Sequence, residues 1–405
     1  MKKKRILIFG AGTLQAAGIQ RAKRMGLEVV TIDANPRAPG LPLADHYEIV
    51  SAADADAALK VATQYGVGGV MTMSTDLCVT AVAYVAEKMG LPGLGVRTAL
   101  QVTNKFFMRQ CFQTAGVPSP DFKKAATLPE AESAAKEIGL PVMVKVPDSA
   151  GSRGASKVAK ANQLEAAFRY AMEFSKAGYV LLEAFMDGIE VGGEAFYYDD
   201  QLLMCLVTNK TITPEPYYVP LGHSLPSRFD EDRQRQVRKA VHDGIRALGI
   251  KSGPVNFDVM LTKEGPKIIE LGARLGGTCL PNIVRYHSGI DTVAATIKLA
   301  MGQDPSRLFR IKKNVPVAVR LITSDTGGVL TRAHFPEDIK KRPEMLEYTL
   351  DVKEGGRVRP FTCGANRFGH IICRGSDWKE AEANAVKVLA DSTIRVERDK
   401  ASEFS

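Results

Sequence analysis

Apolar and polar positions change rhythm along the chain. Arg5-Ile-Leu-Ile-Phe9 is a short apolar run stopped by Gly10-Ala-Gly12, which predicts a strand and a tight turn. A helix follows, with Thr13 as its expected cap and small or apolar positions through Met25. Residues 27–32 and 47–50 read as strands, 54–65 as a helix, 69–73 as extended chain and 77–89 as another helix. Strands alternating with helices imply a parallel sheet with right-handed crossovers.

Composition narrows the class. At 405 residues the prior is about two to three domains. Apolar residues at 45% and charged residues at 24% exclude a disordered chain. No apolar run reaches the roughly 18–20 residues of a membrane span; the longest, residues 67–86, contains Asp76. The basic start Met1-Lys-Lys-Lys-Arg5 precedes too short an apolar stretch for a secretory leader and reads as a solubilising lead. Six cysteines without a CxxC pair argue against a disulfide framework or zinc site, read as small buried hydrophobes, and fit a cytoplasmic protein. The charge of +9 is spread out, with no clustered footprint for nucleic acid. A mild positive field suits a polyanionic small molecule.

Gly10-Ala-Gly12 with Asp33 invites a dinucleotide reading, but the third glycine of that motif falls at Gln15. Four later segments carry more chemistry. Asn104-Lys105 opens a helix over residues 106–115, and a lysine there opposes the helix dipole. Val142-Met-Val-Lys145-Val146 is a strand with a lysine on one face, followed by the glycine-rich loop Ser149-Ala-Gly-Ser152-Arg153-Gly154, whose backbone N–H groups could approach phosphate. Residues 179–190 read as a strand, an extended linker through Phe185 and Met186, a turn at Asp187-Gly188, and a second strand carrying Glu190. An extended backbone beside apolar side chains suits an adenine edge; an ordinary hairpin is the alternative. Finally, residues 253–261 and 266–271 flank a turn near Lys263-Glu264, so Asp258 and Glu270 fall across from one another. Opposed like charges are destabilising unless a hard cation such as Mg²⁺ lies between them. Arg274 follows four residues after Glu270.

In this order and spacing, Lys145, Glu183-Ala-Phe185-Met186, Glu190, Asp258 and Glu270-Leu-Gly-Ala-Arg274-Leu-Gly276-Gly277 resemble the ATP-grasp superfamily, and within it the carboxylate–amine ligases. The C-terminal part resembles that of bacterial L-amino-acid ligases. The resemblance implies an α/β and α+β fold: a Rossmann-like pre-ATP-grasp domain (1–100), an ATP-grasp domain (101–310, lid about 122–186), and a C-terminal β-rich subdomain (311–405) completing the core. It implies ATP and Mg²⁺ (or Mn²⁺) as cofactors. Lys105 and Lys145 would hold phosphates, with Ser149 to Gly154, including Ser152 and Arg153, as a mobile flap. The Glu183 region and the Met186 N–H would read adenine, with Phe185, Val144 and Ile269 as apolar walls, and Glu190 would hold ribose. Asp258 and Glu270 would ligate the metal. Arg274 with the Gly276 and Gly277 backbone would bind the activated carboxylate, and His223 is a further candidate substrate contact. Many family members carry Asn two residues after the second metal carboxylate; here it is Gly272.

The implied reaction forms an acyl phosphate from a carboxylate and ATP, which an amine then converts to an amide. The implied partners are small-molecule carboxylates and amines, with no nucleic acid and no membrane, and the resemblance admits a homodimer. The alternatives are a purine-biosynthesis ligase of the glycinamide ribonucleotide synthetase or carboxyaminoimidazole type, a biotin-carboxylase-type enzyme, an NAD-dependent oxidoreductase using Gly10 to Asp33, and a non-catalytic nucleotide-binding regulator.

Overall fold

The computed structural model describes residues 4–149 and 151–398. The first hundred residues form a parallel sheet in the spatial order His46–Glu48, Glu28–Ile32, Arg5–Phe9, Val70–Thr72. Its central strand is apolar on both faces, as a sheet covered on both sides requires. Leu7 and Phe9 join one buried cluster with Val61 and Val85, whereas Ile6 and Ile8 join another with Ile19 and Ile297. Ile297 lies on the later helix Thr292–Ala300, so this second cluster also docks the N-terminal domain onto the rest of the chain. The helix Thr13–Arg24 is capped by Gly12, with no side-chain capping bond, rather than by Thr13.

A second, antiparallel sheet runs Phe122–Ala125, Val180–Ala184, Val142–Lys145, Ser156–Val158. Val142, Val144, Val180 and Leu182 pack with Phe168 and Ala131 from the helices that cover one face. Lys145 and Glu183 therefore turn to the other face.

The third sheet has eight antiparallel strands, ordered Gly265–Gly272, Gly253–Thr262, Ile189–Tyr198, Gln201–Ile212, Pro220–Leu225, Val317–Ile322, Gly369–Arg374, Met345–Leu350. The last three come from the C-terminal part of the chain, so that part completes this sheet. Strand alternation sorts the residues. Val191, Ala195, Tyr197, Val255, Phe257, Val259 and Leu271 pack with Val237, Val241, Met108 and Phe112 on the helical side. The registers Asp258↔Glu270, Asp258↔Gly192, Asn256↔Glu194, Asn256↔Gly272 and Lys210↔His223 put the polar set on the opposite face.

A small sheet of Arg357–Val358, Gly328–His334 and Thr393–Glu397 lies beyond. Among the described residues no helix is long and apolar enough to cross a membrane.

Candidate active site

The chain segment between Ala184 and Ile189 is not a hairpin turn. It connects a strand of the four-stranded sheet to a strand of the eight-stranded one. The expected site residues gather where those two sheets face each other.

The helix Lys105–Ala115 supplies the first cations. Asn104 caps it, accepting from the Phe106 and Phe107 N–H groups at 2.9 and 3.4 Å. Lys105 Nζ donates to Glu270 Oε1 at 3.0 Å and to the Ser149 carbonyl at 2.8 Å. These acceptors offset the unfavourable dipole end. One turn later, Arg109 Nε donates to Glu183 Oε1 at 2.7 Å and NH2 to the Ile269 carbonyl at 2.6 Å. Lys145 Nζ meets Glu183 Oε2 at 2.6 Å. Burial would push the Glu183 carboxyl up, but Arg109 and Lys145 outweigh it and hold the group down at about 2.

On the eight-stranded sheet, Lys210 Nζ lies 2.5 Å from both Glu190 Oε1 and Asp258 Oδ1. Burial would lower the lysine, but Asp258 and Glu190 raise it, so the ammonium stays charged. His223 is its cross-strand partner. Burial first, and Lys210 second, push that imidazole down to about 3, so it is neutral, with Nδ1 2.9 Å from Thr208 Oγ1. Gly192 keeps this corner open: a Cβ there would stand 3.0 Å from Asp258 Oδ1 and 3.1 Å from His223 Cε1.

Arg274 is fixed from two sides. Nε and NH2 donate to the two Asp76 oxygens at 3.0 and 2.7 Å, and NH1 donates to Asn256 Oδ1 at 2.9 Å. Asp76 belongs to the N-terminal domain, whose loop also donates from Ser74 Oγ to the Gly276 carbonyl at 2.7 Å. The absence of an Asn at 272 has a steric reason. A Cβ on Gly272 would already lie 3.2 Å from both Arg274 Cζ and Asp76 Oδ1. The ion pair occupies the space that a longer side chain would need.

Four sequence expectations change. Glu183 is 1% exposed with both oxygens taken by cations, so its side chain supports Lys145 instead of reading an adenine edge. Val144 turns into the core of its sheet, away from Lys145. The Gly276 N–H donates to Glu194 Oε2 at 2.8 Å and is not available to a substrate carboxylate. Cys279 is more than a buried hydrophobe. Burial alone would raise its thiol, but His370 and Arg367 lower it below the ordinary value.

Other expected residues have defined partners of their own. Phe185 lies under the Lys157 ammonium at 4.4 Å, and its N–H donates to the Pro141 carbonyl at 3.1 Å. Met186 lies in the same linker. Ile269 contributes its carbonyl to Arg109. Ser152 Oγ donates to the Tyr218 carbonyl at 3.3 Å, beside Arg153 and Gly154. Ala150 of the expected flap lies outside the described residues. The Gly277 carbonyl accepts from Leu280 N at 3.0 Å. The turn at Gly10-Ala-Gly12, only a weak dinucleotide signal in the sequence, is closed by side chains. Asp33 accepts from the Ala11 N–H at 2.8 Å, and Gln15 reaches the Met73 carbonyl at 2.5 Å.

Sequence reasoning missed Lys210, Arg109, Asp76 and Glu194. The signal for Arg109 was its spacing of four from Lys105 on one helix. Lys210 could have been suspected as a cation following buried Val207 in a long strand.

Asp258 and Glu270 present hard oxygens on one face, which fits a divalent cation such as Mg²⁺. Both are partly exposed, at 25% and 32%, and each has a lysine at hand. Among the described residues no cluster of three or more metal-binding side chains adds a third protein ligand.

Comparison with known proteins extends this geometry. Residues 138–282 match the ATP-grasp domain and residues 320–397 match the L-amino acid ligase C-terminal domain 2. Alanine–anticapsin ligase of Bacillus subtilis is 28% identical over 72% of this chain and 64% of its own length, so the chain spans less than two thirds of that relative. D-alanine–D-alanine ligase of Geotalea uraniireducens is 32% identical over 55% of this chain and 76% of its own. The crystal structure of L-amino acid ligase from Bacillus licheniformis shares the fold. Its TM-score is 0.85 at 23% identity, covering 98% of this chain and 100% of that one.

Proposed function

We infer the function of this chain from the ATP-grasp carboxylate–amine ligases, the ATP-using family to which it belongs. It joins a small carboxylate, an amino acid in the first instance, to an amine, and releases ADP and phosphate. The carboxylate attacks the γ-phosphorus of ATP to give an acyl phosphate. The amine then displaces phosphate to form the amide. Residues 1–100 serve as the pre-ATP-grasp domain, 101–310 as the ATP-grasp domain, and 311–405 as the C-terminal subdomain.

The observation that carries the reading is the Asp258–Glu270 pair, opposed on one hairpin and met by Lys105 and Lys210 from two other elements. Asp258 and Glu270 would hold Mg²⁺ (or Mn²⁺). Bound there, the ion supplies Lewis-acid neutralisation of phosphate oxygens. Lys105 and Lys145 neutralise phosphate charge from the protein side, which is most of what phosphoryl transfer asks of a protein. Glu190, released by Lys210, accepts from ribose hydroxyls. Phe185, Met186 and Ile269 border the adenine, with the Met186 N–H toward its edge. Arg274 and the Gly277 backbone orient the substrate carboxylate. His223, neutral and facing Lys210, contacts substrate without carrying charge. The loop with Ser152, Arg153 and Gly154 closes to exclude water, because an acyl phosphate hydrolyses if exposed. The reaction fits a cytoplasmic enzyme, whose six cysteines are all unpaired.

The match of residues 320–397 favours amino-acid ligation over purine-type chemistry. The test is phosphate release against pairs of amino acids, with NADH absorbance as the control. Wild type should release phosphate with some pair, and Glu270→Ala should abolish release while keeping its fold. A Glu270→Ala enzyme with normal ATP turnover would overturn the assignment.

A further inference from the structure

Arg109 is the largest fully buried side chain among the described residues, at 0% exposure. Its guanidinium is sealed from solvent, and its partners are the buried Glu183 carboxylate and the Ile269 backbone carbonyl. Its two bonds nevertheless join the two sheets that form the cleft. Nε holds Glu183 of the four-stranded sheet at 2.7 Å, and NH2 holds the Ile269 carbonyl, next to Glu270, at 2.6 Å. Glu183 in turn holds Lys145 at 2.6 Å.

The charges give this arrangement a purpose. A buried carboxylate with one cation is neutralised by it, and that cation has little left for a third party. Glu183 has two cations. Arg109 is sealed, whereas Lys145 keeps 13% of its side chain exposed. The positive charge not spent on Glu183 is therefore available at Lys145. A lysine stem also carries about 2 kcal/mol of rotamer entropy. A carboxylate fixed from behind by a planar guanidinium removes much of that freedom before a ligand arrives.

We propose that Arg109 is a positioning residue: it clamps Glu183 to the Ile269 backbone, and so presents Lys145 to the β- and γ-phosphates of ATP. This rests on the reading of Lys145 as a phosphate ligand. A merely structural tie would affect all nucleotides alike. A positioning role acts only on those that reach Lys145.

The experiment is calorimetric binding of ATP, ADP and AMP, with Mg²⁺, to the full chain as wild type, Arg109→Met, Arg109→Lys and the double variant Arg109→Met/Glu183→Gln. Arg109→Met should weaken ATP and ADP roughly tenfold to a hundredfold, in the range of supporting residues behind a ligand, and leave AMP within about twofold. Arg109→Lys keeps the charge but not the fork, and should fall between. The double variant removes both charges and should recover part of the loss. If Arg109→Met does not fold, Arg109→Lys and the double variant carry the same comparison. Equal weakening of AMP and ATP, or unchanged ATP and ADP binding, overturns the proposal. A wild type that binds no ATP overturns the function instead, so the two failures are distinguishable.

Discussion

Glu183 and Asp258 are both strand carboxylates facing a lysine, at 2.6 and 2.5 Å. At Glu183 the acid is sealed at 1% exposure and the lysine leads outward at 13%; at Asp258 the lysine is sealed at 2% and the acid leads outward at 25%. The buried partner of each pair is the fixed one, and the exposed partner is the one presented to the cleft. The first site thus presents a cation to the cleft. The second presents an anion, with Glu270 at 32% exposure beside it. Similar ion pairs, turned around, present opposite charges, as the proposed nucleotide clamp requires.

The sharpest way to break this comparison is Glu183→Gln. It leaves Arg109 buried opposite a neutral amide, and stability should fall by about 3–5 kcal/mol in urea titration. Added Mg²⁺ should return none of it, because no metal enters that side. Lys210→Met tests the other half. It leaves Glu190 and Asp258 without their shared cation, and partly exposed acids should cost less, about 1–3 kcal/mol. Here millimolar Mg²⁺ should return most of the loss, and more than it adds to wild type. A Lys210→Met protein indifferent to Mg²⁺ would remove the case that this side is exchangeable.

The sequence showed one half better than the other. The sequence brought Asp258 and Glu270 near one another across a two-residue turn between Thr262 and Gly265, but that turn alone would pair Asp258 with Ile269; a bulge between Asp258 and Val259 shifts the register by one and puts Glu270 opposite. Lys105 and Lys145 were readable as cations in awkward places. Lys210 was not, because a lysine on an edge strand looks the same. Only the sheet order shows that its strand is interior, with Ile189–Tyr198 on one side and Pro220–Leu225 on the other. The linker through Phe185 read as a possible hairpin for a related reason. Local pattern gives the strands, but not that they belong to different sheets. Asp76 and Arg274 are separated by 198 positions, and no periodicity connects them. Their contact also accounts for Gly272, which by sequence alone was an unexplained departure.

Glu194 gives an effect graded with pH and needs its sign worked out. Its Oε2 accepts from the Gly276 N–H, and the Thr292 hydroxyl neighbours its carboxyl. Deep burial disfavours the charged carboxylate. Burial accordingly raises the carboxyl from 4.5 to about 7, against the lowering by Gly276, Thr292 and Arg274. Between these values the unfolded chain releases a proton that the folded chain retains. Stability from this group is therefore fully present below 4.5, falls as pH rises toward 7, and is level above it, with a slope of at most about 1.4 kcal/mol per pH unit. His223 acts in the opposite sense. Its imidazole is lowered to about 3, so its contribution rises with pH up to the ordinary value of 6.5. The raw stability curve mixes the two. The difference between Glu194→Gln and wild type cancels His223, because Gln keeps the acceptor for Gly276 but cannot ionise. That difference should favour the variant increasingly from pH 4.5 to 7 and then stay constant. A difference flat across the whole range would mean that Glu194 is ionised throughout, and that the loop carrying Arg274 rests on a buried carboxylate instead of a neutral acid.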